Sequence, residues 1–100
     1  MEKKLKEIRK HIDTLDSQLL ELLAKRQYWV EQAGNIKEAR DKVYDEARVN
    51  EILDKIKQEA KQKGISEDIV LPLWEKLLQL SVAHEFTHYD KKKSPRSNDD

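Results

Sequence analysis

The first forty residues carry the pattern that most narrows the fold. Leu5, Ile8, Ile12, Leu15, Leu19 and Leu22, then Trp29, Ala33 and Ile36, recur at alternating steps of three and four. That spacing is the seam of a long amphipathic helix. From about Glu2 to Arg40 the segment has no Pro, and its single Gly, Gly34, comes late. A helix of about 38 residues would be ~57 Å long, nearly twice the diameter of a globule of this chain's size. It cannot pack entirely against the remainder of its own chain, so it needs a partner. A domain this small buries only about two-thirds of its unfolded surface, so dimerisation would help it.

The rest of the chain reads as two shorter helices. Asp45 is a plausible N-cap, and Val49, Ile52, Leu53, Ile56 and Ala60 form the apolar face behind it. Gly64, after Lys61 and Lys63, is a good helix stop. Ser66 caps a third segment with Glu67 and Asp68 in its first turn, where the helix dipole favours negative charge. Its apolar face is Ile69, Val70, Leu73, Trp74, Leu77 and Leu78, and Pro72 should kink it or loosen its first turn. The pattern fades near Tyr89, so residues 1–90 form one helical domain and the polar stretch 91–100 reads as a disordered tail.

Composition agrees. Two Gly and two Pro in 100 residues are too few for the turns of a sheet, which leaves an all-α fold of one long and two medium helices. Twenty basic and twenty acidic residues cancel, so no global field draws in nucleic acid or an anionic membrane. Cys is absent, which excludes a disulfide scaffold, a thiol nucleophile and zinc–cysteine sites. The opening Met1-Glu2-Lys3-Lys4-Leu5-Lys6 lacks a signal-peptide core, and no run of 18 apolar residues occurs. A soluble cytoplasmic protein is the expectation.

Function should lie where polar residues interrupt the apolar stripes. Arg26 sits on the seam where the next hydrophobe is due. A buried, unpaired guanidinium is costly, so a counter-charge is implied. Lys37 follows 11 residues later, on almost the same azimuth and ~16 Å along the axis. Two such side chains leaning together leave room for a small anion. Arg9 flanks the seam 17 residues before Arg26, ~25 Å away, so it can serve the same site only from an antiparallel second copy. Taken singly, Arg9 and Lys37 also read as solvated helix charges. Arg48 lies in the first turn of helix two, where a cation opposes the dipole unless an anion binds beside it or a surface carboxylate pairs with it.

In helix three, Ser81 and Glu85 continue the line of Leu77 at steps of four. Desolvation would disfavour the charged form of an acid there and make it a candidate donor, unless the fraying helix leaves it in water. The string His84-Glu85-Phe86-Thr87-His88 also satisfies the zinc-peptidase pattern H-E-x-x-H. Its context is poor. After His88 only Asp90, Asp99 and Asp100 offer acidic side chains, His11 is distant in sequence, and no strand is expected to hold a peptide. No metal or cofactor is expected.

These residues together resemble the all-helical chorismate mutases, from about Leu5 to Tyr89. Ile8-Arg9-Lys10-His11-Ile12-Asp13-Thr14-Leu15-Asp16 is similar to the family's opening pattern, Leu22-Leu23-Ala24-Lys25-Arg26 to its second arginine, and Gly34-Asn35-Ile36-Lys37 to its lysine. Val43-Tyr44-Asp45-Glu46-Ala47-Arg48 is similar to the start of its second helix, and Ser81 and Glu85 fall on the polar positions of its last. The resemblance implies an intertwined homodimer of three-helix chains with shared sites. It implies that Arg9 crosses from the partner and that Arg9, Arg26 and Arg48 hold substrate carboxylates. Lys37 and Glu85 would face the ether oxygen, and Asp45 and Ser81 would contact the ring hydroxyl and a carboxylate. Two positions depart from the pattern. Many members have Gln where this chain has Glu85, and the usual mutase has Glu where this chain has Val49. A related branch, the isochorismate-pyruvate lyases, also tends to be apolar at that second position. The resemblance implies a chorismate mutase, with the lyase or an amino-chorismate mutase as alternatives. A non-catalytic helical dimerisation module is the alternative of another kind.

Overall fold

The computed structural model describes residues 1–93 and has three helices: α1 (Glu2–Ile36), α2 (Glu46–Lys63) and α3 (Glu67–Lys93). A three-residue 3-10 helix, Arg40–Lys42, lies between α1 and α2, and no strand occurs among the described residues. The expected all-α order of one long and two shorter helices is present.

Local chemistry sets the boundaries of α2. The Asp45 side chain accepts from the Arg48 N–H at 3.1 Å, satisfying one of the free amides at the helix start. At the other end Gly64 adopts the left-handed conformation, φ 72°. Its N–H bonds to the Lys61 carbonyl, and the Ile65 N–H reaches the Ala60 carbonyl at 2.8 Å. That pair of bonds closes the last turn, and the first costs least with Gly because no Cβ opposes the backbone. Ser66 Oγ then accepts from the Asp68 N–H at 3.3 Å as α3 begins. Pro72 is the sixth residue of α3, and the helix continues through it. The ring removes the i→i−4 bond to the Asp68 carbonyl and crowds that oxygen.

Two boundaries differ from expectation. Helix α1 ends at Ile36, not near Arg40, and Lys37 is extended, with φ −70° and ψ 138°. Tertiary contacts replace the missing turn. Lys92 Nζ donates to the Asn35 and Lys37 carbonyls, placing a cation at the negative end of α1. Arg40 pairs with Asp90 at 3.1 Å and lies 4.5 Å over the Phe86 ring. The same contacts correct the tail: α3 runs to Lys93, so residues 91–93 are helical. The remainder of the expected tail, 94–100, lies outside the described residues.

Helix α3 packs along both α1 and α2. Val43, Ala60, Val70, Leu78 and Tyr89 form the buried apolar core. This core follows α3 from Val70 to Tyr89, in a molecule that measures 60 × 34 × 15 Å. The radius of gyration, 17.8 Å, exceeds the ~13 Å of a compact 100-residue domain. The excess comes from α1. Its residues 2–25 are all exposed, and Ile8, Ile12, Leu15, Leu19 and Leu22 are each half or more open to solvent. No helix of the described residues is long and apolar enough to cross a membrane.

Candidate active site

All three helices and the loop before α2 contribute to one cleft of about 330 Å³. Its walls include Val30, Ala33, Val49, Ile52, Leu78 and Val82, and its polar groups are Arg26, Lys37, Asp45, Arg48, Ser81 and Glu85. Seven of the eight site residues expected from sequence therefore line one cavity. Arg9 is the exception. It lies with Lys6 and Asp13 near the start of α1, 17 residues and ~25 Å of helix from Arg26.

Within the cleft, two polar contacts join α1 and its C-terminal end to α3. Arg26 Nη1 donates to Ser81 Oγ at 2.6 Å. Burial pulls the Arg26 guanidinium below its ordinary pKa, yet a guanidinium stays charged at any physiological pH. One turn further along α3, Lys37 Nζ donates to Glu85 Oε2 at 2.5 Å and to the Val43 carbonyl at 3.2 Å. Glu85 is 8% exposed, the one buried charged residue among those described. A buried carboxylate at this position needs such a partner. Lys37 reaches it because α1 has ended: the extended backbone, rather than a continuing helical azimuth, turns the side chain inward.

The approach of α1 to α3 depends on Gly34. A Cβ at that position would stand 3.0 Å from the Glu85 carbonyl oxygen and 3.1 Å from Glu85 Cγ. Only a residue without a side chain lets the helices come this close beside the Lys37–Glu85 pair.

At the start of α2, Asp45 is committed to its cap through one oxygen, and Arg48 Nη1 contacts Glu51 Oε1 at 2.5 Å. Glu51 is the surface carboxylate that the sequence reading left unnamed. Its signal was the i,i+3 spacing from Arg48.

The H-E-x-x-H string divides between two faces of α3. Glu85 faces the cleft and Lys37, whereas His84 and His88 turn to Glu31 of α1, at 2.6 and 3.3 Å. A third ligating side chain beside the two histidines thus comes from another helix, 53 residues earlier than His84. No sequence-local signal marks it. The peptidase arrangement is absent, because the intervening glutamate is bound to a lysine and not aimed at the histidines.

The cleft contains no Cys and no His, and its Ser81 accepts a hydrogen bond from Arg26 instead of facing a base. Three cations converge on apolar walls with two carboxylates beside them. The fold and site define a class: an all-helical protein with a cationic, apolar-walled cleft between its helices. Comparison with known proteins narrows this further. Residues 8–86 match the family described as chorismate mutase type II, and the chain belongs to that family. It is similar to the T-protein of Haemophilus influenzae, 34% identical over 82 residues, which are 81% of this chain and 22% of that protein. It is also similar to the chorismate mutase of Methanocaldococcus jannaschii, 31% identical over 84 residues, covering 83% of this chain and 85% of that protein. The chain thus spans about a fifth of the first relative and most of the second. No solved structure matches it significantly.

Proposed function

We propose that this chain is a chorismate mutase, converting chorismate to prephenate in one pericyclic step. The observation that carries the reading is the Lys37–Glu85 pair, set in the same apolar-walled cleft as Arg26 and Arg48. The reaction needs neither nucleophile nor metal. It needs the enolpyruvyl arm folded over the ring as a near-attack conformer, and negative charge stabilised on the ether oxygen as the C–O bond breaks.

Arg26, held by Ser81, and Arg48, released from Glu51, supply planar donors that match carboxylates. The Lys37 ammonium, anchored on the Val43 carbonyl, donates to the ether oxygen. Glu85 orients Lys37 as a carboxylate and, when protonated, offers a second donor. Ser81 and Asp45 add contacts to a carboxylate and the ring hydroxyl. The apolar walls exclude water, which strengthens each of these interactions.

The working unit in this reading is a homodimer in the cytoplasm. The exposed seam Ile8–Leu22 supplies a self-complementary surface. Antiparallel pairing of two α1 helices through it would bring Arg9 of the partner subunit to the cleft. Loss of turnover with the dimer intact distinguishes the enzyme from a dimerisation module: Arg26→Ala should cost at least ~100-fold.

Val49 favours a second reading. It places an aliphatic wall in the cleft where a carboxylate is usual for the mutases, and this would suit isochorismate and elimination of pyruvate. An amino-chorismate is the remaining substrate alternative. Presenting chorismate and isochorismate separately and identifying the products decides between them. Prephenate supports the mutase, salicylate plus pyruvate the lyase, and no product from either refutes both.

A further inference from the structure

On the flank of α3 that faces away from Lys37, His84, His88 and Glu31 form a cluster that the proposed chemistry does not use. We propose that these three residues bind a divalent transition-metal ion of the zinc class, tying α1 to α3. The two histidines are one turn apart on the same face of α3, and their rings are 5.0 Å apart between centroids. Glu31 comes from α1. One ligand atom from each residue lies within 4.8 Å of the other two.

The distances suit an ion of that size. Zinc–nitrogen and zinc–oxygen bonds of about 2.0–2.1 Å set tetrahedral ligand separations of roughly 3.3 Å. His88 Nε2 already stands 3.3 Å from Glu31 Oε2. His84 Nε2 stands 2.6 Å from the same oxygen, a hydrogen-bond separation. A carboxylate can only accept, so a proton lies between these two atoms. A metal ion replaces that proton, and the nitrogen moves outward by about 0.7 Å to reach the metal-bound separation. The proton leaves to solvent.

The ligands are also held and reachable. Gln27 Nε2 donates to Glu31 Oε2 at 3.3 Å, an outer-sphere bond of the kind that orients metal-binding carboxylates. Gly34, three residues after Glu31, fixes the approach of α1 to the Glu85–His88 segment. The side chains of His84, His88 and Glu31 retain 36%, 29% and 22% of their exposure, enough for an ion to enter and for water to complete its coordination. Two imidazoles and one carboxylate are a donor set that suits zinc and its neighbours over magnesium or calcium.

The test is calorimetric titration of zinc chloride into the chelator-treated full chain, alongside Glu31→Gln and His88→Ala. The expected result is one zinc per chain in the wild type, and affinity lower by at least ~100-fold in each variant, because loss of a ligand should exceed the 10–100-fold cost of losing an outer-sphere partner. Cobalt substitution should give a visible absorption band that both variants lack. Circular dichroism in the absence of metal establishes that the variants fold, and His84→Asn replaces any that does not. Unchanged affinity in Glu31→Gln, or no saturable binding in the wild type, overturns the proposal. The readout is binding and not turnover, so its failure leaves the mutase reading untouched, and the converse holds.

Discussion

Replacing Gly34 by Ala sets two effects of similar size against each other. Alanine in place of glycine inside a helix favours folding by about 0.5–1 kcal/mol. Against that, the added methyl carbon would stand 3.0 Å from the Glu85 carbonyl oxygen, 3.1 Å from Glu85 Cγ and 3.7 Å from His88 Cβ, where ordinary contact begins at 3.4 Å. The nearest atom belongs to the backbone of α3, so no rotamer change relieves the overlap. The helices must part by about 0.4 Å, and overpacking of this kind costs about 1–3 kcal/mol. The clash wins. We expect a net loss of roughly 0.5–2 kcal/mol and a Tm lower by about 5 °C.

The separation also acts on the cleft. The Arg26–Ser81 contact at 2.6 Å and the Lys37–Glu85 contact at 2.5 Å both cross the line along which the helices part. Misplacement by 1 Å can cost ~100-fold in rate, so a shift of about 0.4 Å should lower kcat by roughly 5- to 10-fold. Thermal unfolding followed by circular dichroism, with initial rates of chorismate consumption, measures both. A Gly34→Ala variant that melts higher and turns over at the wild-type rate would refute the close-approach reasoning.

Three further perturbations separate the roles of individual groups. Glu85→Ala leaves Lys37 without the carboxylate that holds it at 2.5 Å, so kcat should fall by ~100-fold, and an unchanged kcat would refute that positioning role. Glu51→Gln frees Arg48 from an exposed ion pair worth about 0–1 kcal/mol, so KM should fall by up to ~5-fold with kcat unchanged, and a raised KM would show that Glu51 instead positions Arg48. The hydrogen bond from His84, helped by Gln27 and by the field of the histidines, holds the Glu31 carboxyl below its ordinary pKa. A carboxyl lowered in the folded state adds stability above its unfolded value of about 4.3, and that stability disappears as pH falls through the lowered value. Wild type should therefore lose more stability than Glu31→Gln as pH falls below about 5; equal losses in acid titrations would refute the bond's contribution.

The helix order and most of the cleft were legible in the sequence because their causes are local or periodic. Asp45 and Gly64 mark the ends of α2 through atoms within a few residues of themselves. Arg26, Ser81 and Glu85 stood out because each interrupts an apolar line, and the structure brings all three to one cavity. The exposed seam of α1 was also foreseeable, since a helix that long outruns its own chain.

What escaped the sequence reading depends on contacts between distant segments. The end of α1 moved from Arg40 to Ile36 because Lys92 caps carbonyls that lie more than 50 residues earlier. The residues read as the start of a tail became helix for the same reason: Lys92 and Asp90 have partners beyond their own turn. Glu31 gave no signal because an isolated glutamate on a charged helix looks like any solvated residue until α3 sets two histidines against it. Period and capping are properties of one helix and can be read along the chain. Which side chains meet across two helices is decided by their closest approach, and here Gly34 sets that distance.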